Sequence, residues 1–265
     1  MGRRTVHQPV QRGRPARQRI RAGGEMKSWC FVMLLCAAAA NAAADCAPDA
    51  LGTSRVLTLK REYAAYGTVQ HGPLPLEKGE VVLTFDDGPN PETIGGVLRT
   101  LASQCVKATF FMTGANLARH PELGRLVVQA GHTPALHSFA HPPLKSMAAS
   151  EQLADLAHGM QSFTDVFGYA PAAYRFPFLE ETPAILAQLK EHKVTVASID
   201  VGIEDYSPND MRSAALVGRL VDRLRQTGGG IVLMHDANGP TAEALPALLK
   251  AIHDNGYKVV HLRWE

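Results

Sequence analysis

Short β-branched runs alternate with stretches of helical periodicity along most of the chain. The predicted strands are 81–85, 108–113, a short one near 132–136, 173–176, 194–200, 230–234 and 257–262. The predicted helices are 92–104, 121–130, 148–167, 182–192, 210–226 and 241–254. Strands joined through helices pair in parallel, because the connecting helix carries the chain back to the end at which the strand began. Such β/α units close into a barrel or stay open as a doubly wound sheet, and in both the ligand end is the C-terminal end of the strands. No repeat, low-complexity segment or interior linker interrupts the pattern, so the expectation is one domain.

Those strand ends carry Asp86 and Asp87, His137 with His141, Arg175, the run Asp200 to Asp205, and His235. Two adjacent carboxylates repel, and one pKa rises unless a cation takes one of them and leaves the other as a base. Read without a ligand, "DDGP" is also the composition of a solvated turn. In "HSFAH" the two imidazoles stand at i and i+4, a spacing that places both on one face of a helical turn and within reach of one metal ion. A third ligand is needed, and an aspartate completes a His, His, carboxylate set with a position open for water. A phosphotransferase of the haloacid-dehalogenase type also places an Asp after a strand, but spaces its two acids differently and leaves His137 and His141 without a role. His132, in "GH" before the third strand, reads as structural.

The ends of the chain differ in charge. The net charge is +2, yet seven arginines and Lys27 stand against Glu25 alone in the first 44 residues, so the remainder of the chain is net acidic. The basicity therefore gives no case for a nucleic-acid partner, and no protein partner is indicated. From Met26, "MKSWCFVMLLCAAAANAAADC" has the layout of a secretory signal: a short positive start, an apolar core around Phe31 to Leu35, and an A-x-A site ending at Ala44. Residues 1–44 are read as an upstream extension plus this signal, and the protein as exported, periplasmic or extracellular; an uncleaved signal would tether it to a membrane. Beyond the leader only Cys46 and Cys105 remain. In an oxidising compartment they can pair, and their spacing does not decide whether they do. No Gly-rich phosphate loop, Ser nucleophile elbow or aromatic-basic patch is present.

Five motifs now fall in order: "TFDDGP" (Thr84 to Pro89), "HSFAH" (His137 to His141), "YRFPF" (Tyr174 to Phe178), "EDY" (Glu204 to Tyr206) and "LMH" (Leu233 to His235). In order and spacing they resemble those of the NodB-like polysaccharide deacetylases, carbohydrate esterase family four, over Val81 to about His261. The resemblance implies an α/β fold, a distorted (β/α)7 barrel spanning residues 81–265, with 45–80 as a short N-terminal arm. It implies hydrolysis of acetyl groups on N-acetylated sugars of a polysaccharide such as peptidoglycan, a chitin-like polymer or an exopolysaccharide. The cofactor implied is a divalent metal, zinc first, with cobalt, manganese or nickel as alternatives.

Carried over residue by residue, the resemblance makes Asp87, His137 and His141 the metal ligands and Asp86 the general base, paired with Arg175. His235 becomes the general acid, oriented by Asp205. Pro177, Phe178, Tyr206 and Leu233 fall on the substrate side, with the backbone N–H of Phe178 toward the oxyanion and Leu233 in the acetyl pocket. An O-acetyl esterase on xylan-like glycans and a non-catalytic carbohydrate-binding protein are the alternatives. Binding alone needs neither Asp86 nor His235.

The chain departs from the family pattern at Leu179, where Gly is frequent, at Pro134 and Leu136, where a polar run is frequent, and at Tyr206, where Trp is usual. Trp264 is the one tryptophan beyond the leader, so the groove lacks a large stacking platform. Cleavage after Ala44 is the outcome expected for exported protein. N-terminal sequencing checks it: a mature start at Asp45 fits, and a start at Met1 or Met26 would show that the leader is retained.

Overall fold

The computed structural model describes residues 46–206 and 208–265; the leader and its expected cleavage point lie outside them. The chain opens with two strands, β1 (Thr53–Leu59) and β2 (Ala65–Tyr66), before the regular alternation begins. Next come β3 (Glu80–Asp86), α1 (Ile94–Ser103), β4 (Thr109–Met112), α2 (Gly114–Arg119), α3 (Pro121–Gln129), β5 (Thr133–Leu136), α4 (Ala149–Phe167) and β6 (Ala173–Tyr174). The rest is α5 (Pro183–Glu191), β7 (Thr195–Ala197), β8 (Val201–Gly202), α6 (Ser213–Thr227), β9 (Gly230–His235), α7 (Gly239–Asp254) and β10 (Lys258–Trp264). Every strand pairing is parallel.

Strand β3 is buried at every position, the mark of a parallel strand covered on both faces. Val81, Leu83 and Phe85 pack with the apolar faces of the helices, whereas Val82 joins Ile231, Val260, Leu262, Leu59 and Leu74 in a separate cluster. Helix α6 shows why the helices form where they do. Leu216, Leu220 and Leu224 recur at i, i+4 and i+8 and are fully buried, and the helix ends at Gly228 in the left-handed conformation (φ 75°). Each such leucine contributes about 1.5–3 kcal/mol of transfer free energy.

Seven strands ring the barrel, but the seventh is not the one the sequence pattern supplies. β9 pairs β3, and the order runs on through β4, β5, β6 and β7, while β8 pairs only β9 and leaves a seam beside β7. The segment predicted as one strand, 194–200, is broken after Ala197, and β8 begins at Val201. The predicted strand 257–262, β10, pairs β3 only at Lys258↔Glu80 and Val259↔Val81. It then diverges to lie along β1, and β4 takes over the same edge of β3 from Thr84. The arm is thus woven into the sheet: β1 extends β10, and β2 pairs β7 at the seam.

Cys46 and Cys105 form a disulfide across a sequence separation of 59 residues. The same join carries Gly52 N–H to Gln104 O (2.9 Å) and Thr53 Oγ1 to Cys105 O (3.2 Å). Among the described residues no helix is long and apolar enough to cross a membrane. Replacing Cys46 by Ser is expected to lower stability by about 2–4 kcal/mol, chiefly by freeing the unfolded chain. Urea titration checks this, and an unchanged midpoint would count against it.

Candidate active site

The register of β3 places Asp86 between Phe111 of β4 and His235 of β9. Asp86 is buried, and the chain then turns at Asp87, whose φ of 75° is left-handed. Asn116 Nδ2 donates to Asp87 O (2.7 Å) and Thr113 N–H to Gly88 O (3.0 Å), which holds the turn. Successive side chains of an extended strand would point to opposite faces. The left-handed residue instead lets both carboxylates face one space: Asp86 Oδ2 and Asp87 Oδ1 lie 3.7 and 3.6 Å from His137 Nε2. Behind the turn lies Asp236, fully buried, its carboxyl pushed up to about 8 by burial and then by the charges of Asp87 and Asp86.

His137 and His141 do not sit on a helical turn, as their i, i+4 spacing predicts. Residues 137–141 are irregular, with Ser138 (φ 60°) and His141 (φ 55°) left-handed, and this fold-back brings the ring centroids to 4.9 Å. Asp155 of α4 grips the loop, accepting from the amides of Phe139 and Ala140 at 3.0 Å each. His141 N–H donates to Ser138 Oγ (2.9 Å). Asp155 was not legible as a site residue; its only signal is an acid on the face of α4 that also buries Leu156, Gly159 and Phe163.

The donor set fits a divalent cation. His137 Nδ1 donates to Arg175 O (2.8 Å), which fixes the tautomer and leaves Nε2 with a free lone pair. Burial pushes this imidazole down to about 3, so it is neutral, as a ligand must be. Asp87 Oδ1 is buried without a hydrogen-bond partner, 3.6 Å from His137 Nε2 and 3.5 Å from His141 Nε2. Those gaps are too long for hydrogen bonds. They are close to the roughly 3.4 Å between ligands of a tetrahedral centre with bonds of about 2.1 Å. Among the described residues this is the one cluster of its kind.

Arg175 has no solvent exposure. Nη1 donates to Asp86 Oδ1 (2.7 Å) and Thr84 Oγ1 (2.8 Å), Nε to Ala197 O (3.0 Å) and Nη2 to Ser198 O (3.1 Å), while the guanidinium lies 4.1 Å from the centroid of the Phe111 ring. Burial pushes the Asp86 carboxyl up, against the opposing charge of Arg175. Across the cavity, Asp205 Oδ1 accepts from His235 Nδ1 (2.8 Å), and its Oδ2 accepts from His235 N–H (2.8 Å) and Thr241 Oγ1 (2.7 Å). Burial works against charge on His235, but the hydrogen bond and charge of Asp205, aided by Asp86 and Asp87, outweigh it and push the imidazole up to about 9.

These groups open into a cavity of about 810 Å³ whose walls include Phe178, Tyr206 and Leu233. Pro177 is buried and is not among the walls, so the structure does not bring it into the cavity. Phe178 is left-handed (φ 55°) and 62% exposed, with its ring against His141 at 4.5 Å. Leu179, which stands where Gly is frequent, lines the cavity, as does Val69 of the arm, a residue with no sequence signal for such a place. His132 Nδ1 accepts from Ala108 N–H (3.1 Å) and is structural. Trp264 packs against Phe111, Ala135, Ala173 and Ala197 and is not among the cavity walls.

Residues 74–197 match the family described as polysaccharide deacetylase. The peptidoglycan-N-acetylglucosamine deacetylase PgdA of Listeria monocytogenes is 33% identical over 181 residues, 68% of this chain and 37% of that protein. The chain thus spans little more than a third of the length of the first curated relatives it matches. Among solved structures, the Bdellovibrio bacteriovorus peptidoglycan deacetylase Bd3279 superposes with a TM-score of 0.69 at 29% identity, covering 79% of this chain and 58% of that one. Peptidoglycan deacetylase PdaC from Bacillus subtilis superposes at 0.61 with 30% identity, covering 69% of this chain and 88% of that one. On motif order, parallel α/β architecture and these matches together, the chain belongs to the polysaccharide deacetylase family.

Proposed function

We propose that this protein hydrolyses acetyl groups from N-acetylated sugars of a polysaccharide, of the peptidoglycan or chitin type, outside the cytoplasm. The observation that carries the reading is one cavity lined by a buried, arginine-paired carboxylate, an aspartate-paired imidazole and an Asp, His, His cluster. Binding alone gives neither pair a task. The Cys46–Cys105 disulfide supports an oxidising compartment.

Asp87, His137 and His141 would hold the cation, and His₂Asp donors suit zinc. Bound there, a divalent ion lowers the pKa of a water and polarises the acetyl carbonyl. Asp86 accepts the proton of the attacking water through Oδ2, since Oδ1 is held by Arg175. The N–H of Phe178, a residue of the cavity wall, would receive the developing negative charge on the acetyl oxygen. His235 gives its proton to the departing nitrogen through Nε2, since Nδ1 is held by Asp205. Phe178, Tyr206 and Leu233 offer apolar surface to a sugar face and an acetyl methyl.

This division of roles can be tested at the two carboxylates. Asp86→Asn is expected to keep its metal and lose about 10²–10⁴ in turnover, whereas Asp87→Asn weakens both. Acetate release and metal content measured on the same samples decide. Retained activity in Asp86→Asn, or metal loss confined to it, would reverse the two roles.

A second test concerns pH. Asp86 must be ionised and His235 protonated, so activity is bell-shaped; Arg175→Ala moves the acidic limb upward because the carboxyl loses its cation. Asp205→Asn moves the other limb: in metal-free protein the His235 titration, followed by NMR, falls from about 9 toward its ordinary value near 6.5. Because the folded value is the raised one, the stability this charge contributes is fully present below about pH 6.5 and lost as pH rises through about 9. An Asp205→Asn variant whose His235 titrates as in the wild type would remove Asp205 from the mechanism.

A further inference from the structure

Most acids around the cavity have a visible counterpart. Arg175 lies on Asp86, His235 and Thr241 on Asp205, and two backbone amides on Asp155. Asp236 has none: it is fully buried, and neither carboxyl oxygen finds a hydrogen-bond partner. Buried polar groups are nearly always satisfied, and an exception calls for a reason. Its place in the fold supplies one. Asp236 comes directly after His235 at the end of β9, and its carboxyl lies against Gly88, where a Cβ would overlap both oxygens. The acid therefore stands directly behind the turn that presents Asp87, whose Oδ1 is also buried and unpartnered. With Asp86 and Asp205 matched by protein cations, Asp87 and Asp236 are the two acids left over, and they meet at one turn.

We propose that Asp236 is a positioning residue for the cation site: its carboxyl, packed against Gly88, fixes the turn that presents Asp87. The inference rests on the metal-dependent reading of the site. The glycine of "DDGP" is then required because only a residue without a side chain lets the Asp236 carboxyl lie against the turn. Asp236 is not among the groups close enough to act as a ligand, so its effect reaches the ion through Asp87, as groups behind metal ligands commonly act.

Zinc affinity, measured by competition with a chromogenic chelator, tests the proposal in wild type, Asp236→Asn and Asp236→Ser, alongside the melting temperature of chelator-stripped protein. Both variants are expected to bind zinc about 10- to 100-fold more weakly, with a metal-free melting temperature at or above that of the wild type, since an unpaired buried acid has been removed. A folded Asp236→Asn with wild-type affinity overturns the proposal. So does a failure of both variants to fold even with zinc present, which would assign Asp236 to the fold alone. A wild type that binds no zinc would instead remove the metal-dependent reading, and this inference with it.

Discussion

The interior of the barrel is organised around one buried guanidinium. Arg175 carries a charge with no access to water, and leaving it there unsatisfied would cost several kcal/mol. Its donors are therefore spent on four partners from two strands and the loop beyond one of them: Thr84 and Asp86 of β3, Ala197 of β7, and Ser198 just past it. Its own carbonyl takes the proton of His137 Nδ1. One residue thus fixes the carboxylate, the tautomer of His137 in the Asp, His, His cluster and the separation of the strands that carry them. Lysine could not substitute, because a point charge with three rotatable donors lacks the planar fork that spans these acceptors.

The seam beside β7 is the second constraint. A barrel whose β8 pairs only β9 leaves unpaired backbone on β7, and an open edge invites pairing with other chains. The arm answers it. Ala65 and Tyr66 pair Val196 and Ala197 of β7, and Thr68 donates through its amide (2.7 Å) to Asp200 Oδ1, while Asp200 Oδ2 accepts from Ile231 N–H of β9 (2.6 Å). Gln70 then reaches Leu179 O (2.8 Å) and His71 reaches Glu181 (2.6 Å), in the loop that follows Phe178. The segment that repairs the seam becomes, by the same contacts, a wall of the site, with Val69 projecting 57% exposed at its rim.

These two features explain what could be read from the sequence. Continuous apolar runs and i, i+4 leucines are dictated by burial between layers, so the parallel α/β order was legible from periodicity alone. The rule that ligands gather at strand ends led directly to Asp86, His137, Arg175 and His235. Pairing that depends on distant chain was not legible: neither the divergence of β10 from β3 nor the use of a two-residue β8 leaves a local signal. The disulfide was undecided for the same reason, since only the fold brings Cys46 beside Cys105. Asp155 and Asp236 stayed hidden because an acid inside a helix or after a strand is ordinarily a surface residue.

Local backbone conformation accounts for the remaining surprise, the non-helical loop of the histidines. Among the described non-glycine residues with positive φ, Asp87, Ser138, His141, Phe178, Leu179 and Glu204 belong to the site loops. A left-handed L-residue costs roughly 1–2 kcal/mol, and glycine would remove that cost wherever the side chain were dispensable. At Asp87 and His141 the side chain belongs to the Asp, His, His cluster, and at Phe178 it lines the cavity, so the strain cannot be relieved without losing the group. The surrounding contacts must hold it instead: Asn116 on the carbonyl of Asp87, Ser138 and Asp155 on the histidine loop, and Arg175 on Asp86 and His137. Strain confined to the site and stability supplied by its neighbours is the arrangement expected where a chain must present several side chains to one point. Periodicity reports burial and not presentation, and at these turns the two diverge.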